Sequence, residues 1–453
     1  MPKIELDNVG GLAVRLPFRP RDNGDELGSV VTFVTINSDS KIPIMLKFLA
    51  KASSCFFASL VLTGCFHTQL NGSVGGASVT VATLRSPDLI LGTATSLRPA
   101  ELIDLFGDET WAEWPSLARM LFVGITQFKV AQLDLDPDSL YVVTATGGDD
   151  YDPDSRLALS ENPVGVQGNW HVIATGQRII DGNLKVSALT ESIYRQQLPI
   201  LATQTDIQVQ SRLEAAAKLL VADVDNSGSV DYDDVLRWNR SLDSDFLLGS
   251  VPAVDALSDA ITAGQPTDIL AELASDVLGG HQVELLFDNG QVVVETYNWE
   301  SPVTAANFLE YVRDQFYDQV LVHRAINDFM VQVGLLSYDG ANESGQISYS
   351  LKPSGTPIIN ESNNGLSNVR GALAMARTSD PNSASTQFFI NQANNQFLDF
   401  GSSGNPDGYA VFARVLSGLS VVDEIAAEPT VSVSGIGSDV PARGVVLESA
   451  KIL

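Results

Sequence analysis

The sequence predicts a multidomain, mainly β fold with a helical segment in its middle, and three observations carry that reading. The chain has 453 residues, enough for two to four domains at roughly 100–200 residues each. Two regions, after residue 65 and after residue 281, hold short runs of β-branched and aromatic residues bounded by Gly and Asp turns. Between them lies a stretch rich in strong helix formers, closed by Gly279-Gly280.

Composition narrows the function. Hydrophobic residues make up 44% of the chain, too many for wholesale disorder. Lys and Arg number 27 against 55 Asp and Glu, a net charge of −28, which argues against binding nucleic acid or anionic lipid through a basic face. Two cysteines exclude a disulfide-rich scaffold, and four histidines exclude a His-rich metal site.

The elements follow in chain order. Residues 1–44 carry no targeting pattern. Residues 45–64 read as an export signal: Lys47 and Lys51, a short apolar stretch from Ala52 to Leu62, then small residues. The ending Leu62-Thr63-Gly64-Cys65 resembles the lipobox of bacterial lipoproteins, which implies cleavage before Cys65 and a lipid on its sulfur. A signal belongs at an N-terminus, so Met45 is read as the start and 1–44 as a non-native extension. Phe66 is not the aspartate that retains many lipoproteins at the inner membrane. By that family rule the protein is expected on the outer membrane, facing the periplasm.

Residues 65–186 are expected to form a β-sandwich-like module, from runs such as Ser139–Thr146 and Trp170–Ile180. Asp149, Asp150, Asp152 and Asp154 read as a solvated turn. Residues 187–250 turn helical, with Ser211–Leu220 leading into Asp223–Asp234. That twelve-residue stretch resembles the calcium loop of EF-hands. The resemblance implies Asp223, Asp225, Ser227, Ser229, Asp231 and Asp234 as oxygen donors, with Gly228 at the sharp turn. Position twelve is Asp234 rather than the usual Glu, which lowers the affinity expected. A lone loop suits a structural calcium clip better than a switch. Residues 251–280 read as a linker carrying a helical stretch.

The last region, 281–453, opens with two strands around Asp288-Asn289-Gly290, the pattern of a hairpin. Ser301-Pro302 then supplies a helix start, and Val303, Ala306, Leu309, Val312 and Phe316 follow at helical spacing. Pattern alone stops at a barrel-like domain with a few helices.

Four motifs go further. Val322–Gly334, Gly371–Asn391, Phe397-Leu398-Asp399 and Tyr409–Gly418 resemble, in order and spacing, the signatures of cyclophilin-type peptidyl-prolyl cis–trans isomerases. The resemblance implies a closed eight-stranded antiparallel barrel with two helices, acting on proline-containing polypeptides without a cofactor. It implies Arg324 as the catalytic residue. It also implies Phe329, Met330, Phe389 and Leu398 as the proline pocket and Gln332 as a residue placing the peptide and Arg324. Ala376 and Arg377 match the stretch whose backbone binds the peptide, Phe397 and Tyr409 the rim, and Gln387 the adjoining wall. His323 reads as structural, because rotation about an amide moves no proton.

Three departures from the pattern stand out. Asn327-Asp328 replaces a Pro-Gly, Val333 replaces the first glycine of a pair, and Phe397 stands where many members have tryptophan, which implies weak cyclosporin binding. Two functions follow: an active isomerase at the cell envelope, or a peptide-binding lipoprotein that kept the barrel without catalysis.

Overall fold

A computed structural model describes residues 74–96, 135–150, 163–181, 184–224, 226–238, 246–341 and 347–453, with isolated stretches at 3–6, 12–15, 65–70, 98, 100, 103–104 and 126–129. Strands β1 (Lys3–Leu6) and β2 (Leu12–Arg15) pair antiparallel, within the stretch read as an extension. Asp152 and Asp154 lie outside the described residues.

The next region is built around a four-stranded antiparallel sheet. It runs β11 (Asn169–Thr175), β8 (Leu140–Thr146), β5 (Ser78–Thr83) and β6 (Ser86–Thr95). Two small sheets lie beside it in sequence. One joins β10 (Val164–Gly165), β9 (Asp149–Asp150) and β4 (Val74–Gly75); the other joins β12 (Leu184–Val186), β3 (Cys65–Leu70) and β7 (Thr126–Lys129). Among the described residues a helix packs on this sheet. Helix α2 (Ala188–Gln197) packs on β11, where its Glu191 accepts from the His171 backbone at 2.6 Å and Tyr194 stacks on the His171 ring at 4.1 Å. Short helix α1 (Gly176–Asp181) precedes it.

Helix α3 (Asp206–Leu220) begins at a capping box, Thr205 with Gln208, which satisfies donors that the helix start leaves free. Helix α4 (Tyr232–Arg237) follows the acidic loop. The stretch read as a linker is two packed helices, α5 (Val251–Thr262) and α6 (Thr267–Leu278). The reason is visible in their spacing. Val254, Leu257 and Ile261, then Leu270, Ala274 and Val277, each form one buried stripe. Ser192 of α2 donates to the Ala274 carbonyl at 2.6 Å.

The last region is a large antiparallel sheet with two α-helices, α7 (Pro302–Arg313) and α8 (Leu419–Ala426). Its strands are β13 (Gln282–Phe287), β14 (Gly290–Thr296), β15 (Val320–Leu321), β16 (Arg324–Ile326), β17 (Met330–Val333), β18 (Leu336–Ala341), β19 (Ile347–Leu351), β20 (Ala372–Met375), β21 (Phe388–Asn391), β22 (Val411–Ser417) and β25 (Val446–Ile452). The order is β16-β17-β21-β20-β22-β14-β13-β25-β15-β18-β19. A separate hairpin joins β23 (Thr430–Val433) to β24 (Gly437–Pro441).

That ladder has eleven strands, not the eight expected, for two reasons. Residues 320–326 are one stretch whose halves pair differently: Val320 and Leu321 with β25, Arg324–Ile326 with β17. Between them the Val322 N–H reaches the Val445 carbonyl and the His323 N–H reaches Gln332, so the ladder passes through this stretch. The hairpin β18–β19 adds two further strands at one end.

Apolar burial divides into two clusters. The larger runs through the helices and the large sheet, where Phe308 of α7 packs on Tyr317, Phe388 and Phe412, all four fully buried. The smaller holds Met330, Ala372, Ala374, Phe389, Leu398 and Val411 on the other side of the sheet. Hydrogen bonds join the helices to the region of the large sheet. Asn298, 1% exposed, donates to the carbonyls of Leu278 and Gly279 and contacts His281 Nδ1 at 2.8 Å. Gln196 of α2 donates to the carbonyls of Asn298 and Trp299.

Candidate active site

Met330, Phe389 and Leu398 of the smaller cluster form the floor of a groove of about 440 Å³. Strand register places its residues. Arg324 opens β16 opposite Gln332, and Gln332 lies opposite Phe389 on β21. Residues one apart on a strand face opposite sides, so Arg324, Gln332 and Phe389 share one face. Met330, two before Gln332, joins them.

The turn between β16 and β17 holds Asp328 at φ 58°, a left-handed conformation that aspartate tolerates. This is how Asn327-Asp328 serves where glycine is usual. Val333 is buried in register opposite Phe388, and the bend after it falls on Gly334 at φ 101°. A Cβ there would stand 2.5 Å from the Thr386 carbonyl, so only glycine fits.

Every residue of the expected isomerase site except Phe397 lines the groove. The Arg324 guanidinium lies 5.7 Å from the Phe329 ring centroid. Phe397, 58% exposed, stacks on Phe329 at 5.8 Å and forms the outer lip. Phe389 meets Tyr409 edge to face at 5.8 Å. Gln332 donates to Gln387 at 3.1 Å, linking floor to wall. Ala376 gives its N–H to the Gln387 carbonyl at 2.9 Å, so that donor is engaged within the sheet. The Arg377 side chain braces the rim: it donates to the Gly408 carbonyl at 2.9 Å and to Asn405 at 2.8 Å, beneath the Tyr409 ring.

His323 also lines the groove, 6% exposed, with Nδ1 unpartnered. Burial, reinforced by the Arg324 charge, pushes its pKa down to about 4, so the ring is neutral at physiological pH. Sequence reasoning missed the fourth wall. Hairpin β23–β24 brings Ile436, Ser438 and Asp439 to the groove, and Asp439 Oδ2 stands 3.7 Å from Arg324 Nε. More than a hundred residues separate that pair, and neither lies in a pattern that would announce the other.

The remaining expected sites lie elsewhere. In the acidic loop, Asp223 accepts from the N–H groups of Ser227 and Gly228, and Asp234, fully buried, accepts from Val224 and Asp231. Asp231 caps α4 through the Asp233 N–H, and Ser227 donates to the Ser229 carbonyl. Asp225 lies outside the described residues. Among the described residues no three His, Cys, Asp or Glu side chains gather as a metal site. Cys65 begins β3 in register with Lys129, and its side chain is outside the described residues. No helix among the described residues is long and apolar enough to cross a membrane.

A half-exposed arginine beside an apolar pocket, in a groove lined by strands, defines a site for an extended peptide with one apolar side chain inserted. Residues 282–452 match the family model for cyclophilin type peptidyl-prolyl cis-trans isomerase/CLD. The chain is 41% identical over 180 residues to a peptidyl-prolyl cis-trans isomerase of Acinetobacter baylyi, covering 40% of this chain and 89% of that one. It is 45% identical over 166 residues to isomerase B of Escherichia coli, covering 36% and 95%. A solved cyclophilin-type isomerase from Cryptosporidium parvum aligns with 38% of this chain and 98% of its own, at 19% identity and a TM-score of 0.31. The chain belongs to the cyclophilin-type peptidyl-prolyl cis–trans isomerases, and the region that carries the activity is its last 170 or so residues.

Proposed function

We propose that the chain isomerises X–Pro bonds in proline-containing segments of envelope proteins, with Arg324 as its catalytic residue. The observation that carries this is the guanidinium of Arg324 at the edge of the pocket floored by Met330, Phe389 and Leu398. An X–Pro amide rotates over a barrier of about 18–20 kcal/mol, because resonance stiffens its C–N bond. In the twisted state the prolyl nitrogen is pyramidal and carries a lone pair. A fixed cation that donates to that lone pair opposes resonance and lowers the barrier. The proline ring seated in the pocket holds the bond next to Arg324, and Gln332 orients the chain. No bond is made or broken, so neutral His323 has no proton to move. A protease-coupled assay with a proline peptide on the full chain tests this. A wild-type chain with no rate enhancement would defeat it in favour of a binding-only barrel.

The envelope location rests on sequence: the signal-like stretch 45–64, Cys65 as the lipid-bearing residue and Phe66 after it. Such a location suits the activity, because exported chains must isomerise their prolines outside, where the uncatalysed step takes tens of seconds. Mass spectrometry of the native protein tests it; a peptide from residues 1–44 or an unmodified Cys65 would refute it. A structural calcium in the loop 223–234 is supported by the donor spacing and by Gly228 at φ 92°. Titration calorimetry with calcium on the full chain, compared with Asp223→Ala, tests that.

A further inference from the structure

We propose that Arg212, on helix α3 and outside the cyclophilin match, is a positioning residue for the substrate groove: it neutralises the buried Glu361 and so fixes the loop that holds the groove rim. The inference rests on the isomerase reading.

The pair is enclosed. Arg212 Nη1 lies 2.6 Å from Glu361 Oε1, with side chains 6% and 3% exposed. The other carboxylate oxygen accepts from the Thr304 N–H at 2.8 Å and its hydroxyl at 2.9 Å. Glu361 thereby caps helix α7. Ser301, which the sequence marks as the cap, turns its hydroxyl to the Val411 carbonyl instead. Arg212 Nε has no partner, so Glu361 is the chief compensation for its buried charge. The ion pair Lys218–Glu310, also between α3 and α7, is about half exposed and contributes little.

Contacts lead from Glu361 to the groove. Its neighbours Asn360 and Ser362 both donate to the Asp407 carbonyl, Asn360 at 2.6 Å. Asn360 also gives its N–H to Asn382. The next residue, Gly408, accepts from Arg377 at 2.9 Å, and Tyr409 follows on the rim with its N–H on the Leu398 carbonyl. Gly408 lies close against the Phe400 backbone: a Cβ there would stand 2.5 Å from the Phe400 nitrogen. With Arg212 removed, a carboxylate remains buried under α3 without its counter-ion, a costly state. Where the carboxylate stays ionised, the relief we expect is movement of residues 360–362 toward water, which would draw Asp407 and Tyr409 away from the peptide. The energetic test of such a route is rescue, since contiguity alone does not demonstrate coupling.

The experiment uses the full chain as wild type, Arg212→Met and the double variant Arg212→Met/Glu361→Gln. The glutamine keeps an acceptor for Thr304 and removes the orphan charge. Isomerisation of a proline peptide gives KM and kcat, and calorimetry gives affinity for the same peptide. Arg212→Met is expected to raise KM and weaken binding at least about threefold, with kcat changed less, as a displaced rim loses alignment. The double variant is expected to return both to within about twofold of wild type. An unchanged KM and affinity in Arg212→Met, even with a lowered melting temperature, would overturn the proposal, and so would failure of the double variant to rescue. If Arg212→Met does not fold, Arg212→Gln takes its place with the same two outcomes. A wild-type chain that binds peptide without catalysis would refute the isomerase reading alone, and the affinities would still decide the role of Arg212.

Discussion

Replacing Arg324 by alanine should cost the enzyme about a hundredfold in kcat/KM. Removing one preorganised donor aimed at developing charge costs roughly 10²–10³ in rate, about 2.7–4 kcal/mol. The structure places Arg324 at the low end of that range. Its side chain is 43% exposed, and Asp439 stands 3.7 Å from Nε, so water and a carboxylate both screen the charge. The fold should be undisturbed, because position 324 opens a strand in register with Gln332 and the half-exposed side chain leaves no cavity. Peptide affinity should fall less than tenfold, since Met330, Phe389 and Leu398 remain. Arg324→Lys should fall between the two, keeping the charge and losing the planar fork. The protease-coupled assay reads the rate and calorimetry reads the binding. An Arg324→Ala variant that keeps more than a tenth of wild-type kcat/KM would refute the electrostatic account.

Three further outcomes follow from the same geometry. Phe389→Ala should lose about 3–5 kcal/mol of stability in urea denaturation, as expected for a large ring that is 4% exposed, and should abolish peptide binding. His323 should make stability depend on pH with a definite sign. Its folded pKa of about 4 lies below the ordinary 6.5, so its contribution is present above pH 6.5 and lost as pH falls through 4, about 3 kcal/mol in all. His323→Gln should flatten that part of the profile, while wild-type activity stays level between pH 6 and 8. Asn298→Ala should lower the melting temperature by several degrees, since it strands the buried carbonyls at the end of α6.

Much of the site was legible in the chain because the signatures that carry it are local. Val322–Gly334 holds Arg324, Phe329, Met330 and Gln332 within one hairpin, and strand alternation sets which of them share a face. Gly371–Asn391 holds Ala376, Arg377, Gln387 and Phe389 in a second. The helical stripes of α5 and α6 were present in the spacing too, although a stripe alone does not say what covers it. Three features were not legible. Asp439 meets Arg324 only because the hairpin β23–β24 folds over the groove. The cap of α7 comes from Glu361, 57 residues beyond Thr304, rather than from the adjacent Ser301. The count of strands depends on where residues 320–326 change partners.

By itself, then, the sequence determined the isomerase region and which of its side chains share a strand face, because periodicity and short motifs are properties of neighbouring residues. Only the tertiary structure decided that helix α3 is joined to the isomerase region by Arg212 and Glu361, 149 positions apart. A buried ion pair is a relation between two surfaces. Neither charge reveals its partner until folding removes both from water.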